Sequence, residues 1–389
     1  MPPQVLIIGG GMIAHDQILP SLYQLQRLGV IGEIAVCASS YDTVRKLAGN
    51  DPIRRAFPGH HFRMYPNAPT PERQPYLYRQ ALADLPPRQI VIVAVPDQLH
   101  HEIITDALAF DQHICAVKPL VLKHDQALEI ANESRRRGLL VAVEYHKRFD
   151  DRSLMARRAY RAGRFGEFRL GTACLLEKWY YRDSNFQNWM TVENSDAFTY
   201  IGCHYVDLVA FITGLLPASV SVYGIRDRFP NGLEGFLWTD ARVIWSNGAC
   251  LNVQNALGFP DAAPGTNTQG LTMYCQGSTD GGLIQHSDQY RGLKYSYTEP
   301  PSYAEPSPDY FQYLDVGGPG LVPVGYGYRS VAAIINAAIR VNDEGTPALD
   351  DIDRAGIIAT PANSNYNERV IEAARESILN GGREVLIQS

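Results

Sequence analysis

The sequence lacks a long uncharged apolar run, a paired cysteine motif and an excess of positive charge. No segment reaches the roughly 18 apolar residues that a membrane span requires. The six cysteines are scattered without a C-x-x-C pair, which argues against a structural zinc site or a disulfide framework and fits a reduced cytosol. The formal net charge of -6 provides no basic footprint for nucleic acid or an anionic membrane. We therefore expect a cytoplasmic protein that binds neither nucleic acid nor a membrane, and no metal.

The pattern of apolar runs predicts two domains and a returning tail. The 389 residues are about twice what one core fills. Short β-branched runs alternate with helical segments over residues 1–144, which predicts a doubly wound parallel sheet of the Rossmann type. Residues 145–330 have the strand and turn composition of an α+β domain with an open, mostly antiparallel sheet. Residues 331–389 become helical again, and we expect these helices to brace the first domain.

A glycine motif directly after the first strand indicates a dinucleotide site. Gly9 permits a tight turn, and Gly11 lets the backbone approach a pyrophosphate. Met12 and Ile13 follow in the turn, and the small Ala14 packs the next helix against the sheet. The helix N-terminus then faces the phosphates. The simpler alternative is a glycine turn without a ligand, and the further strand–helix units argue against it.

The end of the second strand bears on the choice between NAD and NADP. Ser39 and Ser40 stand where an NAD-specific fold usually carries a carboxylate for the ribose 2′-hydroxyl. Without that carboxylate a 2′-phosphate is not repelled, and the two serines, with Arg45, could hold it. The alternatives are that Asp42 reaches back to the ribose or that no residue grips it. We expect NAD(P), with a lean to NADP.

Several segments together resemble the Gfo/Idh/MocA family of oxidoreductases, named after glucose–fructose oxidoreductase and inositol dehydrogenase. The resemblance covers nearly the whole chain and is weakest between about residues 180 and 199 and from 259 to 326. The segments that carry it are Val95-Pro96-Asp97-Gln98-Leu99-His100, Val117-Lys118-Pro119-Leu120, Tyr145-His146-Lys147-Arg148-Phe149 and Gly202-x-His204-x-x-Asp207.

The resemblance implies oxidation or reduction of a secondary hydroxyl or keto group on a sugar, sugar acid or cyclitol. Lys118 would stabilise a developing alkoxide at the carboxyl edge of the sheet, and His204 would be the general base. The loop of Val95, Pro96 and His100 would contact the cofactor, as would Lys118. The family commonly forms homodimers or homotetramers through its broad sheet, and we expect the same here.

The chain also departs from the family pattern. Tyr200 stands four residues before His204 where many relatives have Asp, and Val117 replaces the Glu before the lysine. Tyr200 could donate to a carbonyl or only shape the pocket. These departures leave room for redox-assisted glycoside cleavage or elimination with recycled NAD. They also motivate a third hypothesis, a non-catalytic NAD(P)-sensing protein.

Aromatic residues in the weakest part of the resemblance suggest where a sugar could bind. Trp179 and Trp189 lie among polar side chains, a mixture that suits the apolar faces and polar rims of sugar rings. An aromatic-rich sheet core or dimer face is the alternative. His146 and Arg148, at the exit from the first domain, complete the expected substrate contacts together with Lys118, Tyr200 and His204.

Overall fold

We describe the protein from a computed structural model that covers residues 2–263, 265, 267–287, 295–298 and 303–387. Within these ranges no helix is both long enough and apolar enough to cross a membrane. The chain divides into two compact units. The first unit comprises residues 1–121, 125–146 and 309–364, and the second comprises residues 122–124, 147–308 and 365–389.

The first part of the chain alternates strands and helices, as its sequence pattern predicts. The strands are β1 (Val5–Ile8), β2 (Ile34–Cys37), β3 (Arg63–Tyr65), β4 (Ile90–Val93), β5 (His113–Val117) and β6 (Val141–Glu144). The helices are α1 (Leu19–Arg27), α2 (Tyr41–Ala48), α3 (Asp51–Ala56), α4 (Leu77–Ala83), α5 (His100–Ala109) and α6 (His124–Arg137).

The six strands form one parallel sheet in the order β3-β2-β1-β4-β5-β6. Strand β4 is buried along its whole length, as expected for a parallel strand covered on both faces. The order reverses between β1 and β4, and ligands bind outside the carboxyl ends of the strands at such a point. The predicted doubly wound sheet is therefore confirmed.

The middle of the chain is dominated by long strands. The helices are α7 (Asp151–Arg161), α8 (Tyr181–Ser184) and α9 (Cys203–Thr213). The strands are β7 (Glu167–Lys178), β8 (Pro217–Arg228), β9 (Glu234–Trp245), β10 (Cys250–Phe259), β11 (Asn267–Gln276), β12 (Gly281–Ser287), β13 (Tyr295–Ser296) and β14 (Tyr303–Ala304).

The last part of the chain supplies elements to both units. Its strands are β15 (Gln312–Leu314), β16 (Val322–Val324) and β17 (Val385–Leu386). Its helices are α10 (Tyr326–Glu344), α11 (Thr346–Ala355), α12 (Pro361–Ser364) and α13 (Tyr366–Leu379).

A seven-stranded sheet organises the second unit, in the order β12-β11-β7-β10-β9-β8-β17. Neighbouring strands are antiparallel except β7 and β10, which are parallel. Long strands with alternating buried and exposed residues, such as β9, leave one face of this sheet open. The predicted open, mostly antiparallel sheet is confirmed.

The C-terminal helices are divided between the two units. Helices α10 and α11 contribute Ile334, Ile335, Val341 and Leu349 to the core of the first unit. The returning segment in that unit begins at residue 309, ahead of the expected 331, and ends at residue 364. Helix α13 belongs instead to the second unit, where its Ser377 Oγ accepts a 2.9 Å hydrogen bond from a backbone N–H of β8.

Candidate functional site

The glycine turn lies at the carboxyl end of β1. Gly9 has φ +115°, and an added Cβ would lie 2.0 Å from the carbonyl oxygen of Ala94, so only glycine fits. A Cβ on Gly11 would meet no atom within 4 Å. Ala14 is fully buried and Met12 and Ile13 are half-buried. The turn therefore combines a tightly packed start with open space in front of Gly11, which fits the pyrophosphate of a dinucleotide.

The helix after this turn begins with a π-helical stretch over Ala14–Ile18 before α1 continues it. Such π-turns occur frequently at functional sites. Within the stretch His15 forms hydrogen bonds at both ring nitrogens, with Asp16 and with the Asn50 amide. The hydrogen bond to Asp16 raises the pKa of His15, an effect that its partial burial opposes.

The end of β2 presents hydroxyl groups and no buried carboxylate. Ser39 and Ser40 are half-buried, and Ser40 precedes α2 without capping it by its side chain. Asp42 is exposed and lies 3.5 Å from Arg45 in an ion pair. Asp42 is thus already paired on the surface, which counts against its reaching back to a ribose.

The loop after β4 is fastened by His100. Val95 and Pro96 are half-buried, whereas His100 is fully buried. Its Nδ1 lies 2.8 Å from the carbonyl oxygen of Pro119, and its Nε2 lies 3.0 Å from that of Val95. The ring therefore ties the loop after β4 to the loop after β5. This differs from the expected cofactor contact, because both nitrogens are already engaged with the backbone.

Lys118 follows β5 directly and is half-buried at the carboxyl edge of the parallel sheet. In the adjacent strand Glu144 is the register partner of Val117. The edge beside Lys118 therefore carries the buried carboxyl group of Glu144, a residue that lies outside the sequence motifs.

Glu144 is the centre of a buried polar cluster in the first unit. Its Oε1 accepts a hydrogen bond of 2.8 Å from Gln17 Nε2 and a short one from Ser330 Oγ. Its Oε2 lies 3.1 Å from His146 Nδ1. The Tyr310 hydroxyl donates to Gln17 Oε1 over 2.9 Å. The cluster links the helix after the glycine turn to the end of β6.

His204 and Tyr200 belong to the second unit, at the start of α9. A π-helical stretch over Phe198–Gly202 precedes that helix, so this segment too has the geometry common at functional sites. A Cβ on Gly202 would lie 2.6 Å from Asn255 Oδ1 and from the Phe198 ring, which explains the glycine of the motif. His204 is buried and Tyr200 is half-buried.

The aromatic residues form two separate arrangements in the second unit. Trp189 lies 5.5 Å from Tyr200, ring centroid to ring centroid, and both contact Phe186. Trp179 instead stacks on the Arg182 guanidinium, 3.7 Å from its ring centroid, and is 47% exposed. The structure thus brings Trp189 to Tyr200, while one ring face of Trp179 is occupied.

Arg148 is a structural residue in this geometry. Its guanidinium is 2% exposed and donates to both oxygens of Asp207, over 2.7 and 2.5 Å. Asp207 also accepts from the Tyr366 hydroxyl over 3.0 Å and from the Asn367 amide over 2.9 Å. The guanidinium has no accessible edge for a substrate, so the expected substrate contact is replaced by a clamp that holds α9.

Two further buried groups of the second unit are not among the site residues that the sequence predicts. Lys147 donates to Gln269 Oε1 over 2.5 Å and lies 5.3 Å from the Tyr205 ring centroid. His286 Nε2 lies 2.9 Å from Asp150 Oδ2. Burial acts to raise the pKa of Asp150, but the hydrogen bonds from His286 and Arg152 hold it below its ordinary value. Gln269 and His286 lie more than 100 residues from their partners along the chain, so local spacing contains no signal of these contacts.

Comparisons with known proteins agree with the fold of the first part of the chain. A family model described as "Oxidoreductase family, NAD-binding Rossmann fold" matches residues 4–145. D-glucoside 3-dehydrogenase of Escherichia coli (strain K12) is 26% identical over 226 residues, which are 57% of this chain and 56% of that protein. 2,7-Anhydro-N-acetylneuraminate hydratase of the same organism is 24% identical over 134 residues, 34% of this chain and 36% of that protein.

A solved structure extends the likeness of fold to the whole chain. GenD2 from gentamicin A biosynthesis, in complex with NAD, superimposes with a TM-score of 0.67 at 17% identity, covering 100% of this chain and 97% of that one. The curated relatives are matched over 21% to 56% of their own lengths.

The parallel sheet, its reversal point and the glycine turn define a nicotinamide-nucleotide-binding Rossmann domain. The model of the Gfo/Idh/MocA oxidoreductase family matches this domain, residues 4–145, in agreement with the resemblance of the motifs that lie within it.

Proposed function

We propose that this protein is an NAD(P)-dependent oxidoreductase acting on a secondary hydroxyl or keto group of a sugar, sugar acid or cyclitol. The observation that carries the proposal is the open space at Gly11, beside a Gly9 packed on Ala94, at the reversal point of the parallel sheet. When bound, the nicotinamide exchanges a hydride with the carbinol carbon of the substrate. The family match over residues 4–145 and the glucoside dehydrogenase likeness support this class of chemistry.

The chain's own residues would hold the cofactor and move the proton. Gly9, Gly11, Met12, Ile13 and Ala14 would cradle the pyrophosphate at the helix start. Val95 and Pro96 would line the nicotinamide side, with His100 holding their loop in place from behind. These assignments rest on the position of each residue at the carboxyl edge of the sheet.

Lys118 would place a positive charge at this edge, where it stabilises a developing alkoxide. In the second unit His204 would accept the hydroxyl proton, since the ordinary pKa of histidine suits a general base at neutral pH. Tyr200 would donate to the substrate carbonyl, and Trp189, in contact with Tyr200, would pack on an apolar ring face. His146 would bind a substrate hydroxyl. Arg148 is not among these contacts, because Asp207 occupies its guanidinium, and Trp179 has only the ring face that Arg182 leaves open.

The test is a mass-spectrometric assay of released cofactor, followed by absorbance at the reduced-nicotinamide band with sugars, uronates and inositols. Bound NAD(P) that is reduced by one of these compounds supports the proposal. A protein that neither retains nor captures nicotinamide nucleotide refutes it. Gly11→Val should abolish binding without unfolding the protein, because the added atoms enter open space. Gly281→Ala is the matched control, since its Cβ meets only an ordinary contact at 3.6 Å.

Variants of the two proposed catalytic groups separate binding from chemistry. His204→Ala should lower turnover by about 10²- to 10⁴-fold, the usual contribution of a general base. Lys118→Met should cost about 10²- to 10³-fold, as for one electrostatic donor. Lys46→Met, an exposed lysine of α2, is the control for lost charge. Unchanged turnover in both variants would remove these roles from the proposal.

For the cofactor we propose a preference for NADP over NAD. The hydroxyl groups of Ser39 and Ser40 support it, together with the absence of a carboxylate at this strand end and the surface pairing of Asp42 with Arg45. Ser39→Asp would restore the carboxylate and should shift the ratio of the two dissociation constants toward NAD by about tenfold or more, since one like charge is repelled. A wild-type protein that already prefers NAD contradicts this assignment.

A second candidate is elimination or hydration chemistry with a recycled cofactor. The Tyr200 that stands in place of an acid motivates it, as does the likeness to a 2,7-anhydro-N-acetylneuraminate hydratase. This candidate requires tightly held nicotinamide, a changed sugar and no net absorbance change. The remaining candidate, a sensor without catalysis, requires that His204→Ala leaves its response to NAD(P) intact.

We also propose that the protein forms a homo-oligomer in the cytosol. Leu170, Tyr274 and Leu283 are register neighbours on β7, β11 and β12, and each is about half exposed at 51% or 52%. Such an apolar patch on an open sheet favours a self-complementary contact. Light scattering should give the mass of at least a dimer, and Tyr274→Lys should lower the measured mass.

All six cysteines are free thiols, which supports a reducing compartment.

A further inference from the structure

The carboxyl edge of β6 carries a carboxyl–histidine pair whose carboxyl residue, Glu144, lies outside the family motifs. Glu144 ends the strand and is 3% exposed, and His146 follows two residues later with a side chain 13% exposed. Oε2 of Glu144 lies 3.1 Å from Nδ1 of His146. A carboxylate can only accept hydrogen bonds, so in this contact Nδ1 carries the hydrogen.

The remaining contacts hold both groups in this orientation. Glu144 Oε1 is taken by Gln17 Nε2, at 2.8 Å, and by the Ser330 hydroxyl, which leaves Oε2 for the imidazole. The Gln17 amide is itself oriented, because its Nε2 also donates to the Gly327 carbonyl over 3.1 Å.

The His146 ring is also fixed through its faces. It stacks on the Tyr326 ring, with centroids 5.6 Å apart and planes at 26°. The Tyr310 ring lies 5.4 Å away at 52°. These ring contacts fix the plane of the imidazole, and a 180° flip within that plane, which exchanges Nδ1 for carbon, would break the contact with Glu144. The imidazole therefore has one orientation and one nitrogen assigned to Glu144.

We propose that Glu144 is a positioning residue that fixes the hydrogen of His146 on Nδ1, so that Nε2 is the nitrogen with which His146 accepts a hydrogen bond from a substrate hydroxyl. Carboxyl partners fix the tautomer of functional histidines in this way. The inference rests on the proposed function, which makes His146 a substrate contact. It adds the acceptor character of that contact and the residue that imposes it.

The direct test is the tautomer of His146 in the full-length protein. Nitrogen-15 labelling of the ten histidines, with His146→Asn to assign the signal, distinguishes a protonated Nδ1 from a protonated Nε2 in the neutral ring. We expect the Nδ1–H tautomer in the wild type and a shift of the population toward Nε2–H in Glu144→Gln. Ser330→Ala is the matched control, since it removes a partner of Glu144 without touching His146, and it should retain the wild-type tautomer.

Kinetics give a second readout. Glu144→Gln should lower kcat/KM for the substrate by at least about tenfold, the loss typical when the partner of a functional histidine is removed. The dissociation constant of the cofactor should stay within about twofold of the wild-type value. A general loss of structure in this unit would instead weaken cofactor binding as well. A wild-type Nε2–H tautomer, or a Glu144→Gln variant with an unchanged tautomer, overturns the inference but leaves the oxidoreductase proposal standing. Failure to bind nicotinamide removes the proposed function and leaves the tautomer result unaffected.

Discussion

Acidification should destabilise the first unit through one buried histidine. His113 begins β5 and is fully buried. Its Nδ1 accepts a 3.0 Å hydrogen bond from the backbone N–H of Leu140, and its Nε2 lies 2.9 Å from Asn342 Oδ1. The Arg88 side chain donates to the same Asn342 oxygen over 2.8 Å. Protonation of Nδ1 would therefore make the ring N–H and the Leu140 N–H face each other as two donors without an acceptor.

These contacts fix the sign and the size of the effect. Burial lowers the pKa of His113 from 6.5 to about 4. The hydrogen bond with Asn342 acts to raise this pKa, and the positive charge of Arg88 lowers it further. The unfolded chain therefore binds the proton more tightly than the folded protein does. The contribution of the neutral His113 ring to the free energy of unfolding is complete above pH 6.5 and is lost as the pH falls toward 4. One pKa unit corresponds to about 1.4 kcal/mol, which makes the full loss about 3 kcal/mol and the loss at pH 5 about 2 kcal/mol.

Urea unfolding followed by circular dichroism at pH 7.5 and pH 5.0 measures this loss. His113→Gln removes the titrating ring, so its free energy of unfolding should fall by about 2 kcal/mol less between the two pH values than that of the wild type. His101→Gln is the control, because His101 pairs with Glu129 on the surface, and it should behave as the wild type. Equal losses in the wild type and in His113→Gln would refute the reasoning.

Three substitutions test the architecture by thermal or urea unfolding. Gly9→Ala should destabilise the first unit by more than about 2 kcal/mol, because φ is positive at this residue and the added Cβ would lie against a carbonyl oxygen. A change below about 0.5 kcal/mol would contradict this turn geometry. Asp207→Ala should cost about 3–5 kcal/mol, since it leaves the Arg148 guanidinium buried without its partner, and a neutral result would show that the clamp does not stabilise the fold. Lys178→Met should cost about 1–3 kcal/mol, because its ammonium donates to the carbonyls of residues 260, 261 and 263, and an exposed Lys123→Met serves as its control.

The sequence predicts the features that depend on neighbouring residues. Gly9 and Gly11 follow a β-branched strand, and this local pattern is enough to indicate the turn and its ligand. The burial of β4 likewise follows from its uninterrupted apolar run. The types of the two sheets are accordingly as predicted.

The roles of Arg148 and His100 depend on partners in other motifs, and the sequence does not show which motifs meet in the fold. Arg148 matches a segment at the exit of the first domain, but its carboxylate partner Asp207 lies 59 residues further on. His100 lies in a loop expected to contact the cofactor, and only the folded chain brings it to the Pro119 carbonyl. The periodicity of α13 indicates a helix with an apolar face but not which sheet that face covers.

The course of the chain has a consequence for how the protein can be divided. The first unit is made of residues 1–121, 125–146 and 309–364, so neither unit is a continuous stretch of sequence. A fragment ending at residue 146 would contain the glycine turn and Lys118 but would lack α10, with Ser330 of the Glu144 cluster and Ile334 and Ile335 of the core. Domain exchange with another dehydrogenase would therefore need at least three cut points, after residues 146, 308 and 364, and a functional nucleotide domain must be assembled from separate segments.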